Sequence, residues 1–379
     1  MFCADNLFLW ITFHLLISRS SGYNNVTASN VTSLRKALLR NYDPYLRPRE
    51  QQSDPVIIRA SFGTKRFNDI SEKEGKVSLL GYLVISWNDE FLVWDKENHS
   101  NIEDIVLKTN DIWWPTIALA NPIGNFKTLQ NHYGVFRVQS TGVINWSPGG
   151  LFSVTCDMVL EKYPFDTQIC DVVFVVLGFS TDEVIFKVNP DILEVHGTTE
   201  WDVVNTQMFA ISEGKAGLTI RFTLQRKSHF VVLTVISPLS LLSFLNLFVF
   251  LIPVESGEKT SFGMTTFLAY SIYLSSLGAS LPDDATHSPY MTMYVEFLMI
   301  LSVVIMAVII VQTRCFYYHG KHLLTCCYGH TKEDNPLFSV ENKERSSGKT
   351  AANSDRILFV CFFFILGSIS LYFFAKMTL

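Results

Sequence analysis

Cys156-Asp-Met-Val-Leu-Glu-Lys-Tyr-Pro-Phe-Asp-Thr-Gln-Ile-Cys170 sets thirteen residues between two cysteines, with Tyr163, Pro164, Phe165 and Asp166 in the middle. The chain has seven cysteines. Cys3 lies in an N-terminal apolar stretch, and Cys315, Cys326, Cys327 and Cys361 lie in or after a C-terminal block of long apolar runs. Cys156 and Cys170 are the pair left where polar and apolar residues mix. An isolated pair reads as one disulfide if the compartment is oxidising, and the flanking sequence bears on that condition.

Upstream, the apolar run from Leu7 to Ile17 is followed by Ser18-Arg19-Ser20-Ser21-Gly22. A short apolar run followed by small residues predicts a secretory signal peptide over 1–22. A buried or interfacial helix is the competing reading, since the first residues carry Asp5 and no Lys or Arg. N-glycosylation sequons follow at Asn25, Asn30 and Asn98 in polar stretches and at Asn145 in a strand-like run. Asn25, Asn30 and Asn98 are the expected glycosylation sites.

Downstream, composition changes near residue 229. Four runs follow that approach the roughly 20 apolar residues a membrane helix needs: Phe230 to Pro253, Thr260 to Leu281, Tyr290 to Thr313 and Ile357 to Ala375. Pro238 is expected to loosen the first. Between the third and fourth runs lie Arg314, Lys321, Lys332, Lys343, Arg345, Lys349 and Arg356, whereas the link between the second and third holds Asp283 and Asp284 and no base. The excess of positive charge puts 314–356 in the cytoplasm and both termini outside. The organisation expected is an extracellular domain over 23–228, membrane helices over 229–313, a short cytoplasmic segment and a last membrane helix over 357–375. Thr331 to Asp355, rich in Ser, Lys, Glu and Asn, reads as disordered.

Within 23–228, Val31 to Leu39 reads as a helix and the remainder as strands. Leu218, Ile220, Phe222 and Leu224 alternate with polar neighbours, the pattern of a half-buried strand. Strand-like runs also occur at Val77–Trp87, Tyr133–Trp146, Leu151–Cys156 and Asp171–Leu177, punctuated by turn residues. The fold class expected is an extracellular all-β sandwich, an N-terminal helix plus about ten strands, followed by a four-helix transmembrane bundle.

The second apolar run is free of charge but laced with Ser and Thr. Alternating steps of three and four select Glu258, Ser261, Thr265, Leu268, Ile272, Ser275 and Ala279 on one helical face. Several such helices around an axis would form a pore with an acid at one mouth, hydroxyls above it and a hydrophobic constriction at Leu268 and Ile272. Rings of carboxylates favour cations, and hydrophobic constrictions gate by dewetting. Hydroxyls bonded back to the helix or across a helix interface would explain the same stripe.

The formal net charge of −5 provides no basic face for nucleic acid. No Gly-rich phosphate loop, nucleophile elbow or metal-ligand cluster is evident, and His319, His322 and His330 are scattered. No enzyme activity, cofactor or metal is expected.

The loop from Cys156 to Cys170 resembles the signature loop of the Cys-loop receptors, the pentameric ligand-gated ion channels, and especially their nicotinic acetylcholine receptor branch. The stretches Trp87 to Trp94, Ile112-Trp-Trp-Pro115 with Asn121, Glu200-Trp201-Asp202 and Pro253 to Lys259 are similar to further signatures of that family. The resemblance implies that the cysteine loop sits at the base of the sandwich against the membrane domain. Glu72, Pro164, Phe165 and Arg226 would lie at that gating interface, where Glu72 and Arg226 could pair, and the link from Pro282 to Tyr290 would receive the movement. It also implies a plasma-membrane pentamer, built with itself or with related subunits, that takes a small-molecule extracellular ligand and passes monovalent cations, with Glu258 in the selectivity ring.

The departures concern the ligand. The family's aromatic box holds a cation by cation–π attraction, but its principal-face tyrosine and tryptophan are matched here by Ala120 and Leu177. The segment Trp201 to Leu218 is short and lacks vicinal cysteines. Tyr82, Asn145 and Trp146 match the complementary face, with ligand contact and ordinary strand packing both open for Tyr82 and Trp146. The resemblance therefore implies a cation channel whose ligand is not acetylcholine in the usual box. An accessory subunit lending a complementary face, or a non-conducting ligand sensor, is the alternative.

Overall fold

Alternation along the strands builds the extracellular half. In the computed structural model, which describes residues 26–126, 128–129, 134–189, 195–212, 214–280, 288–319 and 340–379, helix α1 (Ala28–Leu39) precedes eleven strands. The helix starts three residues before the expected Val31, because Thr27 caps it: its hydroxyl accepts from the Asn30 amide at 3.3 Å. The strands are β1 (Val56–Ser71), β2 (Lys76–Val93), β3 (Asp104–Lys108), β4 (Ile117–Leu119), β5 (Val135–Gln139), β6 (Thr141–Trp146), β7 (Gly149–Thr155), β8 (Thr167–Ser180), β9 (Val184–Val188), β10 (Trp201–Ala210) and β11 (Lys215–Arg226). One sheet runs β3-β5-β6-β2-β1-β9, with β7 also paired to β2, and the other runs β10-β11-β8-β4.

Leu218, Ile220, Phe222 and Leu224 of β11 are fully buried, as their alternation requires. Phe222 meets Phe62 and Phe67 across the sandwich, and Phe152 meets Phe174 edge-on at 5.2 Å. In place of the one strand-like run expected over Tyr133–Trp146, β5 and β6 form a hairpin over Val135–Trp146, with Arg137 opposite Asn145 and Val138 opposite Ile144. Gly142 makes the difference. Its φ is +82°, and a Cβ there would collide with the Asp89 carbonyl oxygen. Near the top, the Tyr42 hydroxyl donates to the buried Asp89 carboxylate at 2.7 Å and accepts from the Trp113 amide at 3.0 Å. Burial pushes both groups up, the Tyr42 hydroxyl and the Asp89 carboxyl alike.

Cys156 directly follows β7 and Cys170 lies in β8, so their disulfide ties the two sheets together, with Cα atoms 5.2 Å apart. A closed loop of this size restrains the unfolded chain by about 3 kcal/mol in the chain-entropy account. Cys170→Ala is therefore expected to lower the thermal denaturation midpoint by several degrees. An unchanged midpoint, compared with wild type under the same non-reducing conditions, would contradict that role.

The membrane half holds α2 (His229–Leu251), α3 (Lys259–Ser280), α4 (Tyr290–His319) and α5 (Val340–Thr378). Helix α2 is not uniform. A π segment over Val232–Ile236 is followed by regular α-helix from Ser237, with Pro238 in its first turn. A proline has no N–H for the carbonyl four residues back, and a π segment absorbs that irregularity. Among the described residues three helical segments are long and apolar enough to cross a membrane: His229–Leu251, Tyr290–Arg314 and Asn353–Thr378. Helix α3, expected as a fourth, is not among them, because its Ser, Thr, Tyr and Gly residues dilute its apolar content. The disorder expected up to Asp355 is corrected from Val340 onward, where the chain is already helical, and 331–339 lie outside the described residues.

Inside the bundle Tyr270, Met291, Val295, Leu298, Ile305 and Ile309 form the core between α3 and α4. Gly263 of α3 lies so close to Met306 Sδ of α4 that a side chain there would displace it. The Thr266 hydroxyl donates to Asn246 Oδ1 of α2 at 3.0 Å.

Candidate gating junction and pore face

Two arrangements organise the candidate functional residues. The first is centred on Arg226, the last residue of β11 before the membrane. Its Nε donates to Asp166 Oδ1 at 2.7 Å, its Nη2 to Asp166 Oδ2 at 3.2 Å, and its Nη1 lies 2.6 Å from Glu72 Oε1. The guanidinium also sits 4.2 Å from the Trp201 ring centre and 4.9 Å from that of Tyr163. The side chains are 7% exposed for Arg226, 1% for Asp166 and 21% for Glu72. Burial works against the charge on Arg226, but the hydrogen bonds and charges of Asp166 and Glu72 outweigh it and raise the guanidinium's affinity for its proton. Burial also raises the Tyr163 hydroxyl.

Sequence reasoning put Glu72 and Arg226 together, and they are in contact. It missed that Asp166 is the more buried, bidentate partner, and that two rings close the site. Asp166 stood in plain view within the cysteine loop. What pairs it with Arg226 is the register of β8 against β11, in which Thr167 faces Gln225. That register is a tertiary fact.

Pro164 is buried and Phe165 half-buried where the loop reaches the membrane helices, and the Tyr163–Pro164 bond is cis. Phe165 packs edge-on against Phe374 of α5 at 6.3 Å. Tyr290, the first residue of α4, donates its amide to the Glu161 carbonyl at 3.0 Å and its hydroxyl to Glu161 Oε1 at 2.6 Å. Lys73, in the β1–β2 turn, reaches the Ala279 carbonyl near the end of α3 at 3.4 Å. Three membrane helices thus touch the base of the sandwich. Pro282 lies outside the described residues.

The second arrangement is the face of α3. Glu258, Ser261, Thr265, Leu268, Ile272, Ser275 and Ala279 are all exposed, Leu268 at 58% and Ile272 at 70%. Lys259, Gly263, Thr266, Tyr270 and Leu277 point the other way and are buried. Thr265 bonds back to the Ser261 carbonyl at 2.9 Å, so a back-bonded hydroxyl and an exposed one coexist here.

The residues matched to the ligand box are less favourably placed. Ala120 is exposed just beyond β4, and the half-buried Leu177 pairs with Thr116. The strands β10 and β11 pair up to Ala210 opposite Leu218. On the other sheet, Asn145 points outward. Trp146 points inward, 5% exposed and edge-on to Trp114 and Phe136 at 5.4 and 5.8 Å. Of the two readings open for Trp146, this packing favours the strand core. The Tyr82 ring is half-buried and lies over Gly63, where a Cβ would stand 2.5 Å from it. Of the sequons, Asn98 is exposed, the Asn30 amide donates to Ser100 Oγ at 2.8 Å, and Asn25 lies outside the described residues.

A β-sandwich tied at its base to a bundle of apolar helices defines a membrane receptor architecture. Comparisons with known proteins agree. Residues 31–231 match the neurotransmitter-gated ion-channel ligand binding domain, and residues 235–322 match the neurotransmitter-gated ion-channel transmembrane region. The chain belongs to the neurotransmitter-gated ion-channel family, the Cys-loop receptors, which are channels rather than enzymes. It is 28% identical over 291 residues to the acetylcholine receptor subunit beta of Rattus norvegicus, covering 71% of this chain and 58% of that one. It is 24% identical over 317 residues to the acetylcholine receptor subunit beta-type lev-1 of Caenorhabditis elegans, covering 81% and 62%. The chain spans about three fifths of the length of these relatives.

Proposed function

We propose that the chain is one subunit of a pentameric, ligand-gated, cation-selective channel of the plasma membrane, with both termini outside. The observation that carries this reading is the face of α3: the bundle leaves all seven residues selected by periodicity uncovered, with Met264, Ser276 and Gly278 exposed beside them. In this reading five copies of that face surround the pore. Glu258 supplies the carboxylate ring that favours cations, and Leu268 and Ile272 form the constriction. The Arg226 junction transmits a change at the subunit interfaces to α3 and α4 through Lys73, Glu161 and Phe165. A small-molecule ligand supplies the work by binding one state better than the other. Acetylcholine in the usual aromatic box is a poor fit, given Ala120, Leu177 and a short Trp201 to Leu218 segment without vicinal cysteines.

Glu258→Gln is expected to weaken cation preference. Under a sodium chloride gradient its reversal potential should move toward that of chloride, whereas an unchanged value would remove Glu258 from the ring. The replaced principal face supports a second reading, in which the subunit lends only Tyr82 and Asn145 to a partner's site. Surface-delivered chain that is silent alone, yet alters the currents of co-expressed related subunits, would favour that assignment.

A further inference from the structure

Lys259 opens helix α3 directly after Glu258, yet the two side chains have opposite fates. Glu258 is exposed, whereas Lys259 is 2% exposed, one of the most buried charges among the described residues. Its ammonium lies 2.9 and 3.0 Å from the two carboxylate oxygens of Asp355 on α5. Gln312 of α4, itself buried, donates its side-chain amide to Asp355 Oδ1 at 2.8 Å. Three helices meet at this one carboxylate. A buried charge persists only when paired and hydrogen-bonded.

We propose that Asp355 is a positioning residue for charge selection: it holds the Lys259 ammonium between α3, α4 and α5 and so keeps a positive charge out of the mouth that Glu258 lines. The inference rests on the reading that α3 lines the pore. Successive helical residues point about 100° apart, so the paired ammonium is turned away from the Glu258 face. Lysine carries its charge on a flexible four-carbon stem. Without its carboxylate partner the ammonium is left buried and uncompensated, and its flexible stem can carry it toward the exposed mouth beside Glu258. There, one such charge per subunit would oppose the carboxylate ring. Gln312 shares the task by fixing the orientation of Asp355.

The test compares wild type, Asp355→Asn, the double variant Lys259→Gln with Asp355→Asn, and Glu258→Gln, each as full-length chain in membranes under a sodium chloride gradient. Asp355→Asn should lower the sodium-to-chloride permeability ratio at least threefold. The double variant should restore it, since no stray ammonium remains. A merely structural pair would lower the stability of Asp355→Asn and leave the permeability ratio of the channels that still reach the membrane unchanged. An unchanged ratio in Asp355→Asn, or no recovery in the double variant, overturns the proposal. If Glu258→Gln also leaves the ratio unchanged, the pore reading itself has failed, and the two failures are thereby told apart. Should the chain pass no current alone, a membrane-impermeant amine reagent applied to the cytoplasmic face of inside-out vesicles gives the answer. Lys259 should be protected in wild type and labelled in Asp355→Asn, and equal labelling overturns the proposal.

Discussion

Arg226→Gln is expected to lower the thermal denaturation midpoint by about 10 °C. The reason is the carboxylate left behind. Asp166 is 1% exposed, and Arg226 supplies two of the donors that reach it. Removing one member of a buried pair costs roughly 3–5 kcal/mol, because the other charge stays desolvated without its partner. For a domain of this size each kcal/mol moves the midpoint by about 2–4 °C. Glutamine keeps part of the volume and one amide, so the loss is chiefly that of the charge and the fork geometry. Glu72→Gln should cost far less, since Glu72 keeps access to water. Asp166→Asn combined with Arg226→Gln should recover part of the loss, because neither charge is then stranded. Thermal denaturation of the full chain in detergent, followed variant by variant, checks the order. A midpoint for Arg226→Gln within 2 °C of wild type would show that the network is dispensable for the fold. The same variants bear on coupling, because Arg226 stands one link from Glu161, Lys73 and the helices they touch.

Much of this architecture is legible in the sequence, for identifiable reasons. Strand β11 was read correctly because it is central in its sheet and its apolar residues alternate without interruption. The face of α3 could be selected because helical periodicity is a local property, and a helix with hydroxyls on one side and aromatics on the other has few ways to pack. The misreadings share a cause as well. The run Tyr133–Trp146 alternates apolar and polar residues on both sides of its middle, and the positive φ of Gly142 marks where it doubles back. The polar stretch before Asp355 resembles a linker by composition, yet helix α5 begins at Val340, and the buried contact of Asp355 with Lys259 and Gln312 pairs residues distant in sequence. The junction was half seen. Glu72 and Arg226 came from resemblance, whereas Asp166 reaches the guanidinium only once β8 and β11 are in register, and Trp201 only because β10 sets it opposite Arg226. Trp146 shows the converse: a position matched to a ligand box by order along the chain turns its ring into the sandwich, because the β6 alternation sends Asn145 out and Trp146 in.

Leu268→Thr is expected to open the channel without ligand. Leu268 and Ile272 lie one turn apart on the exposed face of α3, and a ring of such side chains keeps a narrow pore dry. Drying favours the closed state only while the lining is apolar. Exchanging isobutyl for a hydroxyl-bearing side chain of similar girth removes about 1 kcal/mol of that preference per subunit, on the scale of a buried methylene. In the proposed pentamer five copies act on one equilibrium, so the closed state loses roughly 5 kcal/mol, and a factor of ten corresponds to about 1.4 kcal/mol. The opening equilibrium should therefore shift by about 10³-fold. A channel closed almost all the time at rest would then spend a measurable fraction of time open. The readout needs no knowledge of the natural ligand: it is the resting current carried by sodium in cells expressing the variant, compared with wild type at equal surface delivery. Thr266→Leu serves as a control of position, since Thr266 is buried against Asn246 on the opposite side of the same helix and should not produce a resting current. Resting currents equal to wild type for Leu268→Thr would place the constriction elsewhere. The same result for Ile272→Thr would remove the dewetting account of this face altogether.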